Sequence, residues 1–136
     1  MIIDTLLLDE LTAQAKASPR LRMNLDLRNS DADSSQRMLN AIEPGSVVPI
    51  HRHQKTSETL VVLRGRLVEE YYSSQGELVA TFELAAGTES AGKAVACALN
   101  IPSGQWHTVR AIESGTIILE MKDGAYEPVK ECDVLK

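Results

Sequence analysis

Apolar residues recur along this chain first at helical spacing and then at strand spacing. Around "DTLLLDELTAQAKASP", Ile3, Leu7, Leu11 and Ala15 fall about four apart with Leu8 beside them, which draws one apolar stripe along a helix. Asp4 stands where an N-cap is needed, and Ser18-Pro19 closes the segment. In "RLRMNLDLRN" the period changes to two. Leu21, Met23, Leu25 and Leu27 alternate with Arg20, Arg22, Asn24, Asp26 and Arg28, the pattern of a half-buried strand. After the polar loop "SDADSSQ" come the strand-like runs "RMLNAIE", "VVPIH", "ETLVVLR", "LVEEYY", "LVATFEL", "AVACALNI", "QWHTVRAI" and "TIILEMK". Pro44-Gly45, Gly65, "SSQGE", the loop "AAGTESAGK" and "ESG" punctuate them as turns. Short strands at this spacing predict an all-β sandwich or barrel with one N-terminal helix. The expected division within a single domain is a helix over 1–19, the β unit over 20–126 and a polar tail over 127–136, the tail being an arm, a short helix or disordered.

Composition narrows the class. With 136 residues, 43% of them hydrophobic and 24% charged, the chain has the make-up of one soluble domain. A net charge of -5 and a pI near 5.2 argue against nucleic acid and anionic membrane surfaces as partners. Runs such as "TLLL" and "AVACAL" are too short to span a bilayer, and Asp9 and Glu10 interrupt the N-terminal apolar run, so no signal peptide is expected. Cys97 and Cys132 form no CxxC pair, which points to a reducing cytoplasm, with Cys97 expected as a small buried hydrophobe.

The chemistry gathers in "GSVVPIHRHQKTSETLVVLRG", which holds two of only three histidines. On extended backbone, His51 and His53 share a face while Arg52 takes the other. "QKTS" can reverse the chain and bring Glu58 beside them at the start of the next strand. His107, in "PSGQWHTV", stands at the start of another strand as the natural fourth ligand. Three imidazoles and one carboxylate suit a divalent transition metal, with zinc or iron(II) preferred and manganese or nickel tolerated.

These same residues resemble the two cupin signatures. Gly45 to Gly65 fits G-x5-H-x-H-x4-E-x6-G without a spacing error, and "PSGQWH" fits P-x-G-x2-H. With the N-terminal helix, "SPRLRMN" and "EMKDGAYEPV" in addition, the chain is similar to the small cupin-fold metalloproteins of the WbuC type, associated with polysaccharide synthesis. The resemblance implies a double-stranded β-helix, the cupin barrel, with a metal on His51, His53, Glu58 and His107 at its mouth. Ala111 stands where the second signature often has Asn, and Ala96 where it has Gly. Neither is a ligand position.

Around the metal, Glu69 and Glu70 face opposite ways on their strand, so one of them points inward; Glu70 and Glu120 are the candidate acid–base groups. Lys122 shares a face with Glu120; an ion pair between them is one explanation for both, and Lys122 is also a candidate substrate-binding residue. Arg20, Arg22 and Asn24 form a polar face that, folded over the mouth, would hold an anionic or sugar-like ligand. Trp106, one residue before a ligand, is expected to point into packing. The function expected from the resemblance is a metalloenzyme, isomerase- or epimerase-like or oxygenase-like, acting on a small polar metabolite such as a sugar derivative. The competing readings are a metal-dependent binding or sensing module and a purely structural metal. Apolar residues on both faces of "ETLVVLR" and "TIILEM" further predict a homodimer.

Overall fold

The computed structural model describes residues 1–87 and 94–136. The helix is α1, Thr5–Ala17, with the Asp4 carboxylate accepting from the Leu7 N–H as N-cap. Strands follow as β1 (Arg22–Asp26), β2 (Ser35–Ile42), β3 (Glu58–Arg64), β4 (Arg66–Tyr72), β5 (Leu78–Ala85), β6 (Ala98–Ile101), β7 (Trp106–Ala111) and β8 (Thr116–Asp123). They form a five-stranded sheet, ordered β1-β2-β8-β3-β6, and a three-stranded sheet, ordered β5-β4-β7, with every paired strand antiparallel. Two such sheets closed over a shared interior form the kind of barrel that the resemblance implies.

Parity assigns the two faces of the larger sheet. Ile42, Leu60, Val62, Ile101 and Ile118 point inward and meet Leu67, Leu84, Val109 and Ala111 of the smaller sheet. The outer face presents Leu39, Ala41 and Ile117 to Leu8, Leu11 and Ala15 of α1, with Met23, Leu25 and Leu27 at the margin. The apolar outer face of "TIILEM" is therefore covered by the chain's own helix. Each fully buried leucine or isoleucine here contributes about 1.5–3 kcal/mol of transfer free energy.

The chain passes from the larger sheet to the smaller at Gly65. A register shift between Val62 and Arg64 bends β3, and Gly65 then takes φ 85°. A Cβ on Gly65 would lie 2.7 Å from the Thr116 Cα, so only glycine fits this corner.

Several expected elements differ from those observed. "VVPIH" is not a strand: only His51 enters a ladder, through isolated antiparallel bridges to His107 and Val134. Pro49, without an N–H, interrupts any longer pairing there. "AVACALNI" shortens to Ala98–Ile101, and residues 88–93 of the expected loop "AAGTESAGK" lie outside the described residues. The polar tail packs back on the barrel, with a short 3-10 turn at Glu131–Asp133. Cys97 is half-buried and Cys132 exposed, and both are free. No helix among the described residues is long and apolar enough to cross a membrane.

Candidate metal centre

Backbone pairing brings the ligand segments together. The His51 N–H donates to the His107 carbonyl at 3.0 Å, and the His107 N–H donates to the His51 carbonyl at 2.9 Å. Gly104, at φ 82° in the turn before β7, donates its N–H to the His53 carbonyl at 2.7 Å. Glu58 opens β3, opposite Ile101 on one side and Lys122 on the other. The candidate ligand atoms of His51, His53, Glu58 and His107 all lie within 4.8 Å of one another.

Hydrogen bonding sets the tautomers. The Nδ1 of His51 lies 2.8 Å from the Pro49 carbonyl, and the Nδ1 of His107 lies 2.8 Å from the Gln105 carbonyl. A carbonyl only accepts, so each Nδ1 carries the proton and, in the neutral ring, each Nε2 keeps a bare lone pair. The Glu58 Oε2 sits 3.4 Å from the Nε2 of His107 and 3.3 Å from the Nε2 of His53. That oxygen is buried and has no hydrogen-bond partner. At His107, then, two acceptors face each other in a buried place, an arrangement that a cation between them relieves. The donor set fits a divalent metal, because neutral imidazoles and one carboxylate supply lone pairs converging on one point.

The electrostatics agree with ligation. Burial, together with the nearby His107, lowers the His51 pKa to about 4, and the Pro49 carbonyl only partly opposes this. Burial pushes the Glu58 carboxyl up, but the His107 and His53 rings, which in metal-free protein donate to it when they are protonated at Nε2, and the Lys122 charge outweigh burial and hold the group below the usual carboxylate range.

The remaining candidates separate. Glu120 faces inward, opposite Leu60 and Met38. Burial, with the Glu58 charge next in size, raises its pKa to about 7 against Lys122 and an Asn40 hydrogen bond. Lys122 shares that face but makes no ion pair with Glu120 within 4 Å; it lies near the metal ligands instead, lining a cleft of about 430 Å³ with His53, Gln36, Gln54 and Thr56. Arg22, beside Ile42 in register, has its Nε buried without a partner and feels the Glu120 charge. Arg20 and Asn24 are exposed, so of that expected polar face only Arg22 reaches the interior.

Glu70 requires correction. Leu67 and Tyr71 pack into the barrel core, so parity turns Glu69 inward and Glu70 outward. Glu69 is 1% exposed, its Oε2 has no partner, and burial with the Glu58 and Glu120 charges raises its pKa well above the usual carboxylate value. Glu70 lies 3.9 Å from the exposed Arg110 on the outer face. "LVEEYY" did not reveal this because Val68 on the outer face is buried as well.

Two further features carry no motif. Arg52, between the first two ligands, lies over the Trp106 ring at 4.6 Å and donates from Nε to Asp133 at 2.9 Å. Trp106 is buried and faces away from the ligands, as its parity required. Asp133 also accepts from the Gln54 amide at 2.6 Å, while backbone bonds join Arg52 to Asp133 and Leu135 to Ile50. The tail thus closes the outside of the histidine segment.

The sequence profile of one family, a domain of unknown function (DUF6016), matches residues 3–84. No curated protein matches the sequence. Among solved structures, the capsular polysaccharide assembling protein CapF from Staphylococcus aureus superposes with a TM-score of 0.63 at 16% identity, over 87% of this chain and 32% of that one. Oxalate oxidase in complex with the substrate analogue glycolate gives 0.64 at 15% identity, over 84% and 56%. KdgF from Halomonas sp. gives 0.58 at 16% identity, over 80% and 84%. The chain thus spans about a third of the first of these proteins and just over half of the second, and the likeness establishes a cupin fold.

Proposed function

Given that the chain belongs to the DUF6016 family and carries the cupin fold, we propose that it is a metalloenzyme acting on a small polar metabolite. One observation carries the reading: the buried Glu58 Oε2 faces an imidazole nitrogen whose lone pair is bare, beside two further histidines. His51, His53, Glu58 and His107 would hold the ion, zinc or iron(II) before manganese or nickel. A bound divalent metal supplies Lewis acidity, polarising a substrate oxygen or acidifying a hydroxyl or water. The protein's own groups do the rest. Glu120, with a pKa of about 7, can both take and give a proton at neutral pH. Glu69 holds a proton in the same interior, and the apolar walls of Leu60, Ile118 and Val109 limit water.

A sugar or sugar derivative is the proposed metabolite, within polysaccharide chemistry of the WbuC kind; the name of CapF supports this direction. A homodimer is proposed as the working form, with Leu78 and Val79 of β5 exposed at 55% and 64%. The test is turnover of a panel of sugars and sugar acids by metal-loaded protein, compared with Glu120→Gln. Turnover that the variant loses while still binding metal supports the enzyme. Ligand binding without turnover would leave a metal-dependent binding module in its place.

A further inference from the structure

The charges around the centre name a ligand class, an inference that rests on the metal reading above. Four cations line the cleft beside His53: Arg52, Lys55, Lys122 and Lys130. Arg52 is taken up by Asp133, and Lys55 lies 3.4 Å from Glu127. Lys130 is exposed to solvent. Lys122 is half-buried, stands opposite Glu58 in register, and has no carboxylate within 4 Å among the described residues. Its nearest influence falls on Glu58 and Glu120.

A divalent ion changes the charge balance of this interior. The ion with Lys122 and Arg22 outweighs Glu58, Glu69 and Glu120 even if all three are ionised, and ligating imidazoles add nothing negative. Excess positive charge in a partly buried space favours an anion. The position of the acids locates that anion. Glu120, opposite Leu60, lies one layer deeper and repels a carboxylate when ionised; Lys122, opposite Glu58, lies at the mouth. The deeper region instead offers polar groups without partners, the Asn40 Oδ1, which accepts, and the protonated Glu69 carboxyl, and hydroxyls, which both donate and accept, pair with either.

We propose that the substrate is a small hydroxylated carboxylic acid, its carboxylate recognised by Lys122 at the barrel mouth and its hydroxyls directed toward Asn40 and Glu69. Lys122 acts here as a specificity residue. It admits the charged member of a pair of otherwise similar polyols.

Calorimetric titration of cobalt-loaded protein with gluconate and glycerate, set against glucitol and glycerol, tests this. At least one acid should bind about tenfold or more tightly than its polyol, since a partly buried charge pair contributes on that scale. Lys122→Met should remove that preference, and Lys122→Arg should keep most of it. Cobalt affinity should be unchanged or slightly tighter in Lys122→Met, because a cation beside Glu58 is lost. Equal binding of acid and polyol, or a preference that survives Lys122→Met, would overturn the proposal while leaving the metal centre standing. Failure of the protein to take up cobalt would instead remove the metal reading, and this one with it.

Discussion

Buried acids in this protein fall into two kinds, and the difference is visible residue by residue. Glu43 is 6% exposed, yet its carboxylate accepts from the Ser114 hydroxyl at 2.6 Å and the Gly115 N–H at 2.7 Å. It ties the β7–β8 turn to the end of β2, and its ligation is complete. Glu69 is more deeply buried and has an oxygen with no partner. Burying an unpaired charge costs several kcal/mol, so Glu69 keeps its proton rather than its charge. Opposite pH dependences follow for metal-free protein. The Glu69 pKa is raised on folding, so its contribution is fully present below the unfolded value and is lost as pH rises above about 4.5. Glu120 acts in the same direction between about 4.5 and about 7. The His51 pKa is lowered to about 4, so the unfolded chain binds the extra proton between about 4 and 6.5, and stability is lost as pH falls through that window. Chemical denaturation across pH should therefore show that Glu69→Gln flattens the alkaline decline, while His51→Gln flattens the acid decline. An alkaline limb unchanged in Glu69→Gln would mean that Glu69 is not held neutral.

At the scale of elements, strands and helix were readable because each carries one clear period. The Asp4 cap and the stripe at Leu8, Leu11 and Ala15 gave α1, and β3 starts at Glu58 because the polar "QKTS" connection ends there. The clustering of the candidate metal ligands was readable for the same reason: fixed spacing on extended chain sets which side chains share a face. What remained hidden depends on partners distant in sequence. Asp133 lies 81 residues beyond Arg52, and nothing local in "VKECDVLK" marks it as the group that holds Arg52 against Trp106. The parity of Glu69 and Glu70 was hidden because both faces of β4 are partly buried. Arg52, Gln54 and Trp106 each adjoin a ligand, so the tail acts on the orientation of the imidazoles. Asp133→Ala should weaken cobalt binding about ten- to a hundredfold, the usual loss on removing an outer support of metal ligands. Asp133→Asn, which can still accept a hydrogen bond, should recover part of it. Cobalt affinity and the cobalt absorption spectrum of the folded variants provide the check. A variant that is merely less stable, with affinity and spectrum unchanged, would make the tail a structural strap only.

For the whole molecule, the barrel interior is divided along its axis. One end is closed by aliphatic side chains from both sheets, the middle holds Asn40, Glu69 and Glu120, and the mouth holds the three histidines, Glu58 and Lys122. The chain as a whole carries a net charge of -5, while a filled metal centre would make the interior positive. That inversion would attract a small anion inward and give large polyanions no attractive surface. The most direct measurement is a cobalt titration of chelator-stripped protein followed by absorption, with His107→Ala alongside. One ion should bind per chain with the spectrum of mixed nitrogen and oxygen ligation, and the variant should lose it. Absence of saturable binding by the wild-type chain, or undiminished binding by His107→Ala, would contradict the account.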